Sequence, residues 1–435
     1  MFSYYLDLAL RSLRRHKAVT ALMIVAIGLG IGASMTMLTL LHVMSADPLP
    51  GASSTLFYPQ LEPRSHEQTD GDTEMLGQMT WADAMNLLHA RRGSMQAAMS
   101  SGRVAVTPPG GNARAFFADA RYTSADFFPM FRTPFLNGQG WTHDDDDRRS
   151  HVVVISRALA TRLFGVDEAV GKTLRLGTAS FQVIGVLDHW QPVPLFYDLT
   201  MGGYAKAEEV FMPMETAVDT HMPLTGSITC WGTAGLDRGG LTHADQCAWT
   251  EFWVKLDTPA QVEAYRAFLD HYAKEQHALG RFPAVSRIQL TDLKGWLDTN
   301  HVVPGSVELQ ALLAFGFLIV CLVNTVALLL VKFSRRMGEL SVRRAMGAAK
   351  RAIFAQLLIE AATIGVSGGV LGLMLASVGL WVVRQQPNDY AAYARMDGSM
   401  LLLAIVLSIA ASLAAAIFPA WRTCRVAPAL ALKVQ

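Results

Sequence analysis

The segment Gly165-Val166-Asp167-Glu168-Ala169-Val170-Gly171-Lys172-Thr173 approaches a phosphate-binding loop in composition. Such a loop cradles phosphates with backbone N–H groups and has four residues between its glycines. Here five residues separate them, so the turn has the wrong length for nucleotide chemistry. Asp144–Asp147, flanked by His143 and His151, offers oxygen ligands for a divalent cation. It lacks the spaced acids and the glycine of a calcium loop, so a solvated acidic turn is expected instead. The histidines show no His-Glu-x-x-His spacing, which leaves a zinc hydrolase unsupported. No catalytic, metal-binding or cofactor-binding residues are therefore expected in this chain.

Two other groups have chemistry of a different kind. Cys230 and Cys247 lie in a long polar block, whereas Cys321 and Cys424 lie in or beside apolar stretches. An oxidising compartment permits a disulfide between the first two, with two free thiols as the alternative. The second group is Glu339, Arg343, Arg344, Met346 and Gly347. Gly338 can break the chain, and Glu339 then stands near a helix start, where an acid favours the dipole. Arg343 is four residues on and can pair with it along one face. Met346 offers a flexible apolar knob for a groove on a partner. Together these residues would make a short charged helix offered to a partner; basic residues serving only topology and lipid headgroups are the alternative.

The elements that would position these groups follow from composition. Hydrophobic residues make up 51% and charged residues 17% of the chain, against about 25% charged in an average soluble domain. Ala18–Met44, Ala311–Val331, Ala361–Val383 and Gly398–Ala420 contain no Asp, Glu, Lys or Arg and run 27, 21, 23 and 23 residues. Each meets the roughly 20 residues needed to cross a bilayer as a helix. None carries an ionisable relay of the kind that gradient-driven carriers use, so energy is expected to enter from elsewhere. Gly28, Gly30, Gly32, Gly365, Gly368, Gly369 and Gly372 point to close helix packing, or to a mobile helix interface. The net charge of +1 gives no case for nucleic-acid binding.

Lys and Arg set the orientation, because short cytoplasmic loops retain positive charge. They cluster at Arg11, Arg14, Arg15 and Lys17, at Lys332, Arg335, Arg336, Arg343, Arg344, Lys350 and Arg351, and at Arg422, Arg425 and Lys433. Arg384 and Arg395 are offset by Asp389 and Asp397. Both termini are thus expected in the cytoplasm and the block between the first two spans outside. Phe2, Leu6, Leu10 and Leu13 beside the first arginines read as an amphipathic helix on the inner surface, or as a frayed tail. The expected parts are 1–17 (surface helix), 18–44 (span), 45–310 (external domain of two lobes), 311–331 (span), 332–360 (coupling segment), 361–383 (span), 384–397 (short loop), 398–420 (span) and 421–435 (tail). Inside the external block, Thr80 can cap a helix over Trp81–Arg92, and His151–Ile155 reads as a strand before a helix at Arg157–Phe164. Leu174–Leu176 and Phe181–Leu187 pair around Gly177, and Thr258-Pro259 opens a long helix toward Gly280. That mixture is α+β. Pro192–Trp253 shows no clear period.

This layout resembles the MacB/FtsX-like permeases, the membrane subunits of type VII ABC transporters. Tyr122-Thr123-Ser124-Ala125-Asp126-Phe127-Phe128, Gly138, His151–Gly165, Val170-Gly171-Lys172 and Val183-Ile184-Gly185-Val186 are similar to the MacB-type periplasmic core. Glu339–Ala348, Glu360-Ala361 and Pro419–Arg425 with Pro428 and Leu432-Lys433 resemble the family's coupling segment and ending. Ser341 stands where the family usually has Gly, and Leu430 where an acid is common. The resemblance implies four transmembrane α-helices with a large α+β periplasmic domain inserted between the first and second, in a bacterial inner membrane. It implies a non-catalytic permease subunit of an efflux system, with ATP and Mg bound by a separate cytoplasmic ABC ATPase present in two copies. Implied partners are a second permease copy, identical or related, a MacA-like periplasmic adaptor, a TolC-like outer-membrane channel and the lipid bilayer. FtsX-like signalling to a cell-wall hydrolase and lipoprotein release are the alternative outputs.

Overall fold

The computed structural model describes residues 17–69, 74–109, 114–165, 168–231, 242, 244–386, 389–396 and 398–425. The surface helix expected at 1–17 (save Lys17) and the ending at Pro428–Lys433 lie outside the described residues. Along the chain the main helices are α1 (Lys17–Met44), α2 (Trp81–Ala90), α3 (Arg157–Phe164), α4 (Pro259–Ala278), α5 (Leu293–Thr299), α6 (Gly305–Arg335), α7 (Met337–Ala345), α8 (Lys350–Arg384) and α9 (Gly398–Arg425). The strands are β1 (Leu56–Leu61), β2 (Met79–Thr80), β3 (Met95–Thr107), β4 (Phe116–Thr123), β5 (Phe135–Gly138), β6 (Val152–Ser156), β7 (Thr173–Leu176), β8 (Ala179–Leu187), β9 (Val210–Pro213), β10 (Thr229–Cys230), β11 (Cys247–Lys255) and β12 (Ile288–Asp292). Residues 46–302 form one compact unit, and the segments before and after it form a second.

Among the described residues, α1, α6, α8 and α9 are long and apolar enough to cross a membrane. The helices continue past their charge-free stretches: α6 starts at Gly305, behind Pro304, and α8 at Lys350. Small residues let them pack. A Cβ on Gly32 of α1 would lie 3.2 Å from Gly372 O, and one on Gly372 of α8 would lie 3.2 Å from Gly28 O. Two helices carrying glycine every fourth residue thus bring their backbones together, as lipid-embedded helices do when no hydrophobic force drives them. The neighbouring face of α8 meets α9, where Ser408 Oγ donates to Gly365 O at 2.6 Å. Ser34 Oγ of α1 donates to Ala314 O of α6 at 3.1 Å.

The 46–302 unit is α+β. Twelve strands form one sheet in the order β12-β1-β11-β3-β4-β9-β6-β8-β5, with β2 and β10 on β11, and β7 on β3 and β8. Pairing is antiparallel except for β4 with β9 and β6 with β8. Alternation along the strands divides the core, because successive side chains point to opposite faces. Ala98, Val153, Val210, Phe252 and Val254 join one cluster, with Leu87 of α2 and Tyr265 and Leu269 of α4. Ala97, Met99, Val154, Phe211 and Trp253 join the other, with Leu293 and Trp296 of α5. The core of this unit therefore lies on the two faces of one sheet.

Local signals explain the boundaries. The side chains of Thr80 and Ser156 accept from Asp83 N and Leu159 N, and Thr258 forms a capping box with Gln261 ahead of α4. The α2 helix stops at Ala90 because Arg91 turns left-handed at φ 48°. Gly138 also has a positive φ of 74°, and a Cβ there would collide with Ile184 O. The aperiodic region holds β9, β10, β11 and a short helix at Met214–Asp219. Its loop buries Leu195, Phe196 and Tyr197 consecutively, a pattern with neither helical nor strand period.

Candidate functional site

The residues expected to meet a partner, Glu339 to Gly347, lie at the join of α6, α7 and α8. The chain breaks at Arg336, with φ −102° and ψ 4°, and α7 begins at Met337. Gly338, expected to break the chain, lies inside the first turn of α7. The turn is made two residues earlier, at Arg336, whose side chain is drawn back to Glu360, as the next distances show. Glu339 is in the first turn of α7, and Arg343 and Arg344 are in the last, the arrangement that suits the helix dipole. Leu340 and Ser341 are buried, so the position where the family favours Gly accommodates a hydroxymethyl group. Val342 and Met346 face outward, Met346 at 77% exposure. Gly347 ends α7 at φ 99°, a conformation that costs any other residue strain.

A chain of ion pairs fixes α7 to the apolar helices. Lys332 Nζ lies 2.7 Å from Glu360 Oε1, and Arg336 Nη1 lies 2.8 Å from Glu360 Oε2. Arg336 Nε is 3.7 Å from Glu339 Oε2, and Glu339 Oε1 accepts from Arg343 Nη2 at 3.0 Å. Arg343 also reaches Gln356 Oε1 of α8 at 3.5 Å. Lys332 Nζ donates to Thr20 Oγ1 of α1 at 3.4 Å, and Arg344 Nη1 to Cys424 O of α9 at 3.3 Å. The network thus ties α7 to all four long apolar helices. Sequence reasoning brought Glu339 and Arg343 together but treated Lys332 and Arg336 as topology charges and Glu360 as a family match. Their signal was legible: a charge at the border of an apolar run needs a partner.

Elsewhere the chemically suggestive residues have structural uses. Gly171, at φ 85°, donates its N–H to Val183 O at 2.7 Å and leads into β7, and Lys172 Nζ sits 4.7 Å from the Phe164 ring. Val166 and Asp167 of that segment lie outside the described residues. The acidic turn is a short helix, His143–Asp147, with a Thr142/Asp145 capping box. Hydrogen bonds from Thr142 hold Asp145 below the usual carboxylate range. Burial pushes Asp146 up to about 7, although its Oδ2 accepts from Ala125 N at 2.8 Å. Among the described residues no group of three or more His, Cys, Asp or Glu is placed to hold a metal. Gly365-Val366-Ser367-Gly368-Gly369 has the spacing of a nucleophile elbow, which requires a strand-to-helix turn. Here it lies within α8, and Ser367 Oγ donates to Thr363 O at 2.9 Å. Cys230 and Cys247 are joined by a disulfide that pins β10 to β11.

Comparison with known proteins places this arrangement. The family model of the MacB-like periplasmic core domain matches residues 20–272, and that of the FtsX-like permease C-terminal matches 311–428. The macrolide export ATP-binding/permease protein MacB of Hyphomonas neptunium is 24% identical over 68% of this chain and 40% of its own length. The pyoverdine export ATP-binding/permease protein PvdT of Pseudomonas aeruginosa is 24% identical over 58% of this chain and 33% of its own. The chain thus spans less than half the length of these curated relatives. The solved periplasmic region of MacB from Actinobacillus actinomycetemcomitans is similar at 15% identity and TM-score 0.37, covering 59% of this chain and 97% of that one. With a matched core domain covering more than half of its length and a matched permease region after it, this chain belongs to the MacB/FtsX-like family of type VII ABC transporter permeases.

Proposed function

We propose that this chain is the membrane subunit of an ABC-type export system, coupling ATP hydrolysis on the inner face to rearrangement of its periplasmic domain. It has no ATPase chemistry of its own; ATP and Mg bind an ABC ATPase that these residues do not encode, in two copies. Closure of the two ATPases pushes α7 in each of two permeases. The apolar helices carry that push outward as a rigid-body change between two packings. The Lys and Arg bias supports an orientation with both termini in the cytoplasm and 46–302 in the periplasm of a bacterial inner membrane. The output is expulsion of a periplasmic substrate, in keeping with the export of macrolides and pyoverdine named for its relatives. A MacA-like adaptor and a TolC-like channel complete the route.

One observation carries this reading. The network of Lys332, Arg336, Glu339, Arg343 and Glu360 makes α7 move with α6 and α8, while Val342 and Met346 remain exposed for a partner. Affinity purification of the tagged chain with mass spectrometry tests it. An ABC ATPase should co-purify with the wild type and be lost from the Arg343→Glu/Arg344→Glu variant while membrane insertion is unchanged. Equal recovery from both would place the grip elsewhere.

A further inference from the structure

The final turns of α9 carry an exposed stripe that lies outside the α6–α8 ion pairs. Phe418, Trp421, Arg422 and Arg425 follow one another at spacings of three, one and three, which puts them on one face of the helix. Phe418 is 50% and Trp421 46% exposed, and both arginines are exposed as well. The guanidinium carbon of Arg425 lies 3.9 Å from the centre of the Trp421 ring. The stripe thus passes from apolar to aromatic to basic within about two turns. Trp concentrates where hydrocarbon gives way to headgroups, so Trp421 marks that level and the arginines stand beside and just beyond it.

Two neighbouring elements bring further positive charge to the flank of this stripe. Arg344 of α7 donates from Nη1 to Cys424 O at 3.3 Å, and Cys424 Sγ lies 4.0 Å from Lys350 O at the start of α8. The charges of Arg344 and Lys350 both act on the Cys424 sulfur. From Arg343 to Ile359, and again from Gly398 to Arg425, the chain holds no Asp or Glu. Glu339 and Glu360 are already engaged by Lys332, Arg336 and Arg343. Positive charge gathered beside an apolar face, with no acid among these segments, complements an anionic amphiphile. A free phosphate would meet only the bases and leave Phe418 and Trp421 uncovered. A phospholipid meets both halves of the stripe. An arginine whose face lies on a ring still presents the N–H edge of its fork, which takes phosphate oxygens in pairs.

We propose that the end of α9 binds an anionic phospholipid of the cytoplasmic leaflet, with Arg422 and Arg425 on its phosphate and Trp421 and Phe418 along its glycerol and upper acyl chain. Arg344 and Lys350 add to the positive potential at the flank of the site. The leaflet rests on the orientation proposed above, whereas the preference for an anionic headgroup rests on the stripe and its bases alone.

Fluorescence anisotropy of acyl-labelled phosphatidylglycerol and phosphatidylcholine, each titrated with the full chain in dodecyl maltoside micelles, tests this. Phosphatidylglycerol should bind about tenfold more tightly than phosphatidylcholine, since the bases favour its net charge. The preference should shrink as sodium chloride is raised, because salt screens exposed charges. Arg422→Gln/Arg425→Gln should bring the two lipids close to parity, while Arg422→Lys/Arg425→Lys should keep most of the preference. Equal affinity of the wild type for both lipids, or a preference that survives in the Gln variant, would overturn the proposal. If that variant keeps the preference and loses the co-purifying ATPase, the stripe belongs to a protein partner instead. Displacement by inorganic phosphate beyond that by sodium chloride at equal ionic strength would assign the site to a soluble anion and would also overturn it. The wild-type comparison decides the question even where the Gln variant does not fold. The lipid titrations contain no ATPase, so their failure is separate from failure of the coupling scheme.

Discussion

Glu360 holds Lys332 at 2.7 Å, and neither side chain is more than 1% exposed. The same carboxylate binds Arg336 with its other oxygen, so one acid on α8 fastens two bases on and just beyond α6. The members of this junction cannot separate without leaving a charge buried and unpaired.

Glu360→Ala should therefore destabilise the membrane unit strongly, by about 3–5 kcal/mol, the cost of orphaning a buried partner. Lys332→Met and Arg336→Met combined with Glu360→Leu should recover much of that loss, since neither base is then left buried without its acid. Thermal unfolding in detergent compares the variants. A single substitution as stable as the wild type would show that the pair is not closed off from water.

Gly372→Leu should lower stability by about 1–3 kcal/mol through overpacking. A Cβ at that position would already lie 2.8 Å from Ile31 Cγ2. Gly338→Ala should do the reverse, stabilising α7 by about 0.5–1 kcal/mol. It lies inside that helix with nothing within 4 Å of an added Cβ. Unfolding midpoints of the two variants should fall on opposite sides of the wild type.

Asp146 makes the periplasmic unit pH-sensitive. Its folded pKa, at about 7, lies above its ordinary 3.8. Its proton is thus bound more tightly in the folded state. Stability from this group is fully present below pH 3.8 and is lost as pH rises through 7. Asp146→Asn should stabilise the unit at pH 8 by about 1–2 kcal/mol and flatten that dependence. Unfolding measured from pH 5 to 8 checks both the sign and the slope.

The Cys230–Cys247 bridge closes a loop with a sequence separation of 17. Its removal by Cys230→Ser/Cys247→Ser should cost about 3 kcal/mol, from the entropy the bridge removes from the unfolded chain. Thiol labelling of the unreduced protein should leave both cysteines unmodified, and labelling of both would contradict the bridge.

Much of this molecule was legible in its residues. Charge-free length marked the apolar helices, and Thr80, Ser156 and Thr258 marked helix starts through side-chain caps whose chemistry is local. Gly338 misled because a glycine near a charge run looks like a break, whereas the pull of Glu360 on Arg336 sets the turn. The buried partnership of Lys332 with Glu360 spans 28 positions, and no local period encodes a contact between two helices. The same holds for Arg121, whose acids Asp198 and Glu208 come from an aperiodic loop that only the assembled sheet brings back to β4.

The coupling claim is tested most directly by following the periplasmic domains while ATP is added to the reconstituted permease–ATPase complex. Spin labels on the exposed Leu279 of two permease copies report their separation. The separation should change on ATP addition in the wild type and stay fixed when Arg343→Glu/Arg344→Glu loosens the grip on α7. A change of the same size in that variant, or none in the wild type, would contradict a lever worked from α7.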